Sequence, residues 1–397
     1  MDPLFANGID LAVVLIVVLK VVVTFVFLLV GVLMMIWFER KIISDMQNRI
    51  GPNRAGPWGL LQSLADGIKI FFKEDLLPEQ ADPPVFRLAP YLSTVTAFAA
   101  FAVIPIGGTI SIAGHKTFLQ LADPPVGVLF LLAMSSIAVY GVMLAGWSSG
   151  SKYPLLGSVR ASAQMISYEA AMGLSVAAVV LAAGSLSTHA IVVDQAHRGP
   201  GGILPNWNVI TLGGIPFFIY LVAATAEINR PPFDLVEAEQ ELVGGFFTEY
   251  SSVRFALFYL AEFMNTITVS AVAVTLFFGG PSGPVYSFLP RTLWPILWFF
   301  LKLLVFLFAY VWLRASVPRF RYDQLMDLGW KRLIPAALFW LLLIAAIQVG
   351  RDQGWNPTLV LGVGVVAGLA VLGALALAMR TSRLRADDDS WPVEASR

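Results

Sequence analysis

Residues 11–38 read LAVVLIVVLKVVVTFVFLLVGVLMMIWF, an apolar run in which Lys20 is the only charged residue. A helix rises about 1.5 Å per residue, so this run is longer than a hydrocarbon core of ~30 Å requires. Apolar runs of about 20 residues recur along the chain, whereas a membrane β-barrel would show alternating segments of about 10. The chain of 397 residues is 57% hydrophobic and only 13% charged. These features predict an all-α integral membrane protein.

Nine membrane-spanning helices are predicted from the apolar runs. They are Leu11–Phe38, Leu88–Ile112, Gly127–Trp147, Ala161–Leu186, Val209–Ala226, Ser252–Phe278, Leu293–Leu313, Leu333–Val349 and Leu359–Met379. Basic residues collect in cytoplasmic loops, and placing residues 39–87 in the cytoplasm puts twenty of the 26 lysines and arginines on that side. The N-terminus is therefore expected outside and the C-terminus in the cytoplasm. Arginine outnumbers lysine 18 to 8, which suggests a GC-rich bacterial genome and hence a bacterial plasma membrane.

The most acidic stretch of the chain lies between two of these spans. Residues 226–250 read AEINRPPFDLVEAEQELVGGFFTEY and carry six acids against one base, Arg230. If the part after Pro232 is helical, Asp234, Glu237 and Glu241 fall within an arc of about 60°. Glu249 joins them only if that helix continues past two glycines. Crowded acids raise one another's pKa values and hold protons, although a solvated acidic loop explains the spacing equally well.

A second polar stretch follows the first span. Residues 50–57 contain glycines and prolines that cannot continue a helix, and the residues from Gly59 to Lys73 are amphipathic. This segment is too short and too polar to span, so we expect a surface helix that lies in the membrane interface. Such a helix forms the lip of an opening for a hydrophobic molecule or is an anchor without a ligand.

Two further acids are predicted inside the membrane. Glu169 lies about 13 Å beyond Arg160 at the start of the fourth span, and Glu262 lies within the sixth. Buried carboxyl groups are costly and face the interior of a bundle, as relay groups or as structural hydrogen-bonding groups. The loop at 314–332 brings Arg314, Arg319 and Arg321 to the side on which the acidic stretch is expected.

Several other functions are not indicated. The chain has no cysteine for an iron–sulfur cluster, and its three histidines are not spaced as metal ligands, so no metal site is predicted. Any redox cofactor is therefore expected in a partner. No phosphate-binding loop or nucleophile elbow occurs. The basic residues are spread over many loops, and nucleic acid is not expected as a partner.

Four motifs together resemble one family. They are ERKxxxxxQNRxGPNRxGxxGLLQxxADGxK at 39–69, GWSSxxKYxLLGxxRASAQxxSYE at 146–169, AExNRxPFDLxEAExELVxGFxxEYS at 226–251 and VPRFRYDQLMDLGWK at 317–331. They resemble the H subunit of the NADH–quinone oxidoreductases, which is the membrane component of respiratory complex I that bridges the redox arm and the proton-pumping arm. The resemblance covers residues 11–349.

The resemblance implies roles for matching residues. A quinone channel would be framed by Arg40, Asp66, Lys69, Phe233, Arg319 and Arg321. A proton relay would run through Glu169, Glu227, Asp234, Glu237, Glu239, Glu241, Glu249 and Glu262. Quinone, either menaquinone or ubiquinone with a slight preference for menaquinone, would be the substrate. This chain would carry no redox centre of its own.

The same resemblance implies partners. NADH, FMN and the iron–sulfur clusters would belong to other subunits, including the soluble quinone-site and terminal iron–sulfur subunits. The chain would also contact small membrane subunits, antiporter-like subunits and the lipid bilayer. The alternatives are the corresponding component of a membrane-bound hydrogenase, which admits no quinone, and a stand-alone proton-coupled transporter, which would show internal repeats.

The chain departs from the family pattern at two places. Some relatives carry a further acid in the third span, where this chain has Ser135 and Ser136. Many relatives stop after eight spans. We therefore divide the chain into a family domain at 1–349, an additional C-terminal helix at 350–380 and a cytoplasmic tail at 381–397 that is predicted to be disordered.

Overall fold

The computed structural model describes residues 2–5, 8–196, 206–235, 242–287 and 289–356, together with Gly362, Val366 and Gly373. Its helices are α1 (Leu11–Met46), α2 (Gln62–Phe71), α3 (Pro83–Phe101), α4 (Gly127–Ser148), α5 (Lys152–Ala183), α6 (Thr188–Gln195), α7 (Asn208–Thr211), α8 (Ile215–Glu227), α9 (Ser252–Phe277), α10 (Leu293–Ser316), α11 (Tyr322–Leu328) and α12 (Ile334–Asp352). Strands β1 (Thr109–Ile112) and β2 (His115–Phe118) form an antiparallel hairpin. Short 3₁₀ helices occupy Pro3–Phe5, Pro57–Gly59 and Gly245–Phe247, and a π-helical turn at Gly329–Leu333 joins α11 to α12.

Six helical stretches of the described residues are long and apolar enough to cross a membrane. They are α1, α4, α5, α9, α10 and the stretch Tyr322–Gly350, which runs from α11 into α12. This confirms a mostly helical membrane protein. Helix α9 is the most central of these helices, because 83% of its 18 most apolar consecutive residues are buried, compared with 17% in α1. The count of nine spans stays a prediction, since the ninth (359–379) and the tail (381–397) lie outside the described residues apart from the three named above.

The predicted second span, Leu88–Ile112, is wrong in its second half. Helix α3 ends at Phe101, and residues 109–112 form a strand in which Thr109 pairs with Phe118. The sequence between contains Pro105, which lacks a backbone N–H, and two adjacent glycines, which disfavour a helix. Residues 102–112 are apolar, so hydropathy alone did not reveal the turn.

The predicted fifth span, Val209–Ala226, is also interrupted. The chain leaves α7 at Thr211 and begins α8 at Ile215. Between them Gly213 and Gly214 have φ values of +76° and +75°, which a residue with a side chain rarely adopts. The two short helices therefore meet at a sharp turn.

Both lysines within predicted spans have polar partners. Lys20 Nζ lies 3.0 Å from Asp2 Oδ2 and 3.0 Å from Thr117 Oγ1, so it attaches the N-terminal segment to the hairpin. Lys302 Nζ donates to the carbonyl oxygens of Phe278, Gly280 and Ser282 at 2.7–2.9 Å, just beyond the end of α9. Both side chains are anchored in the structure.

The loops at the other end of the bundle from the hairpin are joined by hydrogen bonds. Leu76 N donates to Ser251 Oγ at 2.8 Å, and Phe320 N donates to the Pro232 carbonyl at 3.0 Å. We call the described residues of 47–82, 228–251 and 317–333 the polar end. Helix α1 reaches it because it continues to Met46, eight residues past the predicted boundary at Phe38.

A close backbone contact fixes the acidic stretch against α5. A Cβ atom on Gly157 would lie 2.8 Å from the Cα and carbonyl carbon of Gly245, whereas a Cβ on Gly173 of the same helix would meet nothing within 4 Å. We expect Gly157→Ala to destabilise the protein by about 1–3 kcal/mol and Gly173→Ala to leave it unchanged or stabilise it by up to ~1 kcal/mol. Thermal denaturation of the purified complex measures both. Equal melting temperatures for the two variants would show that the contact is not tight.

Candidate functional site: buried carboxyl groups at the polar end

Arg230 lies at the centre of a buried ionic network. Its Nη1 is 2.9 and 3.1 Å from the two carboxylate oxygens of Glu39, and its Nε is 2.9 Å from Glu262 Oε1. Arg314 makes a second ion pair with Glu39. Arg230 also lies over the ring of Phe263, with its guanidinium carbon 4.4 Å from the ring centroid. Two carboxylates and two guanidiniums therefore compensate one another inside the protein.

Four separate elements supply this network. Glu39 lies in α1, Glu262 in α9 and Arg314 in α10, while Arg230 follows the end of α8. The prolines at 231 and 232 cannot continue that helix, so the chain leaves it and turns inward. Arg230 and Glu39 expose only 6% and 8% of their side chains. Buried charges of this kind are stable only when they are paired.

A glutamine from α5 holds the turn that carries Arg230. Gln164 Nε2 lies 2.7 Å from the Ala226 carbonyl, 2.9 Å from the Phe233 carbonyl and 3.1 Å from Asn229 Oδ1. Its side chain is fully buried. Because the amide reaches both sides of the turn, the non-helical segment has a defined path.

Asp234 forms the next charged contact towards the protein surface. Its Oδ2 accepts a hydrogen bond from Arg319 Nη2 at 3.0 Å. Phe233 is buried beside it, with ring centroids 5.4 Å from Tyr168 and 5.6 Å from Phe320. The loop after α10 therefore contacts the acidic stretch at Asp234. Arg319 lies near this stretch, as the sequence predicted.

Two other glutamates, both partly buried, have serine hydroxyls as partners instead of arginines. Glu227, the last residue of α8, accepts a hydrogen bond from Ser135, and Glu169 of α5 accepts one from Ser136. The two serines are neighbours in α4. Glu227 Oε2 is buried and has no hydrogen-bond partner among the described residues. These two glutamates therefore have much weaker charge compensation than Glu39.

Two cavities adjoin Glu227. The first has a volume of about 50 Å³ and is lined by Glu227, Glu262, Asn229 and Asn265, among others. The second has a volume of about 40 Å³ and is lined by Ser135, Thr268, Glu227 and Asn265. Each is large enough for water and has polar groups that bind it. Glu227 and Asn265 line both cavities, so the cavities lie side by side.

The helix α2 is fastened to α1 by charged groups. Arg40 Nη1 is 2.6 Å from Asp66 Oδ2, and Lys69 Nζ is 3.6 Å from Asp66 Oδ1. Burial alone would raise the pKa of the Asp66 carboxyl, but the hydrogen bond and charge of Arg40, with contributions from Gln62 and Lys69, outweigh it and hold the pKa below its usual range. The opposite face exposes apolar side chains, including Leu64, Ile68 and Phe71.

Not all of the expected residues come together. Glu237, Glu239 and Glu241 lie outside the described residues. Asp234 is not on a helix, because residues 232–235 are irregular, and a helix does not connect it to Glu249 because Gly245 adopts a φ of +65°. Arg321 is 79% exposed and contacts Asp323. Asp234 is therefore not part of a helical arc, whereas the positions of Glu237 and Glu241 stay a prediction.

Five residues of this site were not assigned to it from the sequence. They are Glu39, Arg230, Arg314, Ser135 and Ser136. Their partners are 32 to 275 positions away in the chain, so no local spacing marks them. Two signals were available: Arg314 was expected on the side of the acidic stretch, and Glu39 directly follows an apolar run that is longer than a membrane requires.

The fold and this site define a membrane protein of several spans whose interior carries paired and unpaired carboxyl groups beside small cavities. The chain belongs to the NADH dehydrogenase family, whose model matches residues 19–345.

Two bacterial relatives are similar over most of the chain. The H subunit of NADH-quinone oxidoreductase from Frankia alni is 54% identical over 361 residues, which cover 90% of this chain and 78% of the relative. The protein of the same name from Frankia casuarinae is 54% identical over 362 residues, with the same coverage. The family match at 19–345 includes every residue of the ionic network.

The ionic network leads to a test of stability. Arg230→Gln would leave the carboxylates of Glu39 and Glu262 buried with too little positive charge, at a cost of about 3–5 kcal/mol. The matched control is Lys331→Gln, because Lys331 makes an exposed ion pair with Asp327 at 2.7 Å and such pairs contribute only about 0–1 kcal/mol. We expect Arg230→Gln alone to lower the melting temperature of the complex and the amount of chain retained in it. Similar losses in both variants would contradict the pairing.

Proposed function

We propose that this chain is the membrane subunit of a proton-pumping NADH:quinone oxidoreductase in a bacterial plasma membrane. In this role it forms the quinone-access tunnel with the soluble redox arm and conducts protons through its buried carboxyl groups. The observation that carries the proposal is the placement of Glu262, Glu227 and Glu169. Glu262 and Glu227 line the first cavity, and Glu227 also lines the second. Glu169 is held by the serine next to the one that binds Glu227. The name of the relatives supports quinone as the substrate.

The route for quinone begins at α2. Its exposed apolar side chains suit the lipid-soluble tail, and the contact of Arg40 with Asp66 fixes the helix to α1. Phe233 and Arg319 lie further along the polar end, beside Asp234. We place the quinone tunnel between α2 and the residues Phe233, Asp234 and Arg319. Lys69 and Arg321 then lie at its exposed rim.

The route for protons begins where the quinone is reduced. Reduction to the quinol consumes two electrons and two protons, so charge changes at the polar end. Asp234 and Glu262 are the described acids nearest to that change, and the predicted acids Glu237, Glu239 and Glu241 would extend the set. From Glu262 the first cavity leads to Glu227, and Glu169 follows. Charged groups in a low-dielectric interior influence one another over several ångströms.

The orientation and partners follow from the same proposal. The polar end faces the cytoplasm and the N-terminus lies outside. The soluble quinone-site and terminal iron–sulfur subunits cover the polar end and supply the electrons from NADH through FMN and iron–sulfur clusters. Antiporter-like and small membrane subunits receive the coupling from Glu169. Residues 1–349 form the family domain, and 350–380 add one helix before the tail.

The proton route is tested by removing titratable groups while keeping side-chain shape. Glu169→Gln, Glu227→Gln and Glu262→Gln should each lower proton translocation per quinone reduced at least about tenfold in reconstituted vesicles. The control is Asp194→Asn, since Asp194 is exposed on α6 at the other end of the bundle. If translocation per quinone is unchanged in all three glutamine variants, these acids are structural.

The quinone route is tested on the exposed face of α2. Leu64→Arg or Ile68→Arg should slow reduction of a long-tailed quinone severalfold, because a charge on this face opposes entry of the apolar tail. Reduction of a water-soluble acceptor by NADH should remain, as it should in the control Lys73→Gln on an exposed polar position. Equal loss of both activities in the arginine variants would indicate disassembly instead of a blocked entrance.

A further inference from the structure

Ser135 and Ser136 are neighbours in α4, and their hydroxyl groups bind glutamates of two different helices. Ser135 donates to Glu227 Oε1 at the end of α8, and Ser136 donates to Glu169 Oε1 in α5. Helix α4 therefore lies between the two acids and holds both. Because the two serines are adjacent in the chain, the two carboxyl groups contact neighbouring positions of α4.

We propose that the Ser135–Ser136 pair is the proton link between Glu227 and Glu169. This inference rests on the proposed function, for which it names the connecting residues. A hydroxyl group donates one hydrogen bond and accepts others, so it can receive a proton on one side while releasing its own on the other. An alanine at the same position can do neither.

Ser136 has a second acceptor within reach. Its Oγ lies 3.1 Å from the Leu132 carbonyl, one turn earlier in the same helix. When Glu169 is ionised, the hydroxyl donates to the carboxylate. When Glu169 is protonated, the hydroxyl donates to the Leu132 carbonyl and accepts a hydrogen bond from the carboxyl O–H. Both states of Glu169 are thus hydrogen-bonded, which removes the penalty that an unsatisfied buried group would impose on one of them.

Ser135 and Glu227 adjoin a cavity with further unsatisfied groups. Glu227 Oε2 and Thr268 Oγ1 are buried, have no hydrogen-bond partner among the described residues, and belong to side chains that line the cavity of about 40 Å³. Buried polar atoms are rarely left without a partner, and a polar cavity of this size accommodates water. Water in this cavity satisfies both atoms and connects Glu227 to the hydroxyl of Ser135.

The transfer conserves atoms and charge. A proton leaves the Glu227 carboxyl for Ser135 Oγ, whose own proton passes to a bridging water that the proposal requires between the two hydroxyls. That water passes a proton to Ser136 Oγ, and the original proton of Ser136 reaches Glu169. Each hydroxyl ends unchanged, Glu227 is ionised and Glu169 is protonated. The reverse sequence returns the proton.

The test compares two double variants of similar shape in the intact complex. Ser135→Thr with Ser136→Thr keeps both hydroxyls, and Ser135→Val with Ser136→Val removes them. Protons translocated per quinone reduced are measured in vesicles over a range of pH, with Ser149→Ala as the control, because Ser149 lies at the end of α4 and donates to the Ala145 carbonyl at 2.7 Å. We expect at least about a tenfold loss in the valine variant and near-normal pumping in the threonine variant.

Equal pumping by the valine and threonine variants would overturn the proposal. If the valine variant fails to assemble, the single variants Ser135→Ala and Ser136→Ala replace it, because each removes one hydroxyl and leaves a smaller side chain. Normal pumping in both alanine variants would overturn the proposed link. The proposed function fails separately, if Glu227→Gln pumps normally. Loss of pumping in Glu227→Gln together with normal pumping in the serine variants would leave the proposed function standing and remove only the serine link.

Discussion

Arg230 contacts Glu39 and Glu262 at once, and the positions of several helices depend on this contact. It connects the turn after α8 to α1 and α9, and Arg314 extends the connection to α10. A buried ion pair adds little net stability compared with apolar packing, but losing one partner costs about 3–5 kcal/mol. The network therefore specifies how these helices meet more than it stabilises them. It also places charge at the polar end without leaving a net charge inside the bundle.

The acids of the interior fall into two sets because of this arrangement. Glu39, Asp234 and Glu262 face guanidinium groups, whereas Glu227 and Glu169 face serine hydroxyls. An arginine does not release its proton, so the first set is compensated by fixed charge. A hydroxyl group instead adapts to either protonation state. The charge partners thus change from arginines at Glu262 to serine hydroxyls at Glu227 and Glu169.

The sequence predicted the long helices well and the connections poorly. The third span was predicted as Gly127–Trp147 and is observed as Gly127–Ser148, because a strongly apolar run leaves few alternatives in a membrane. Hydropathy did not reveal that the chain leaves the helix after α3 and enters the hairpin, because residues 102–112 are mostly apolar. The motifs contain Glu169 and Glu227, and the position of Glu262 within the sixth span indicated it as well. Arginines were expected near the acidic stretch, but the individual arginine and serine pairs could not be predicted, because they are set by contacts between helices that are distant in the chain.

Infrared difference spectroscopy of the intact complex tests the central claim, that Glu227 and Glu169 change protonation when quinone is reduced. The spectrum of the quinol state minus the quinone state should contain carboxyl bands. In Glu227→Gln and Glu169→Gln these bands should be lost or shifted, and in Asp194→Asn they should be retained. Carboxyl bands that are identical in all three variants and in the unmodified complex would contradict the account, because the protons would then move through other groups.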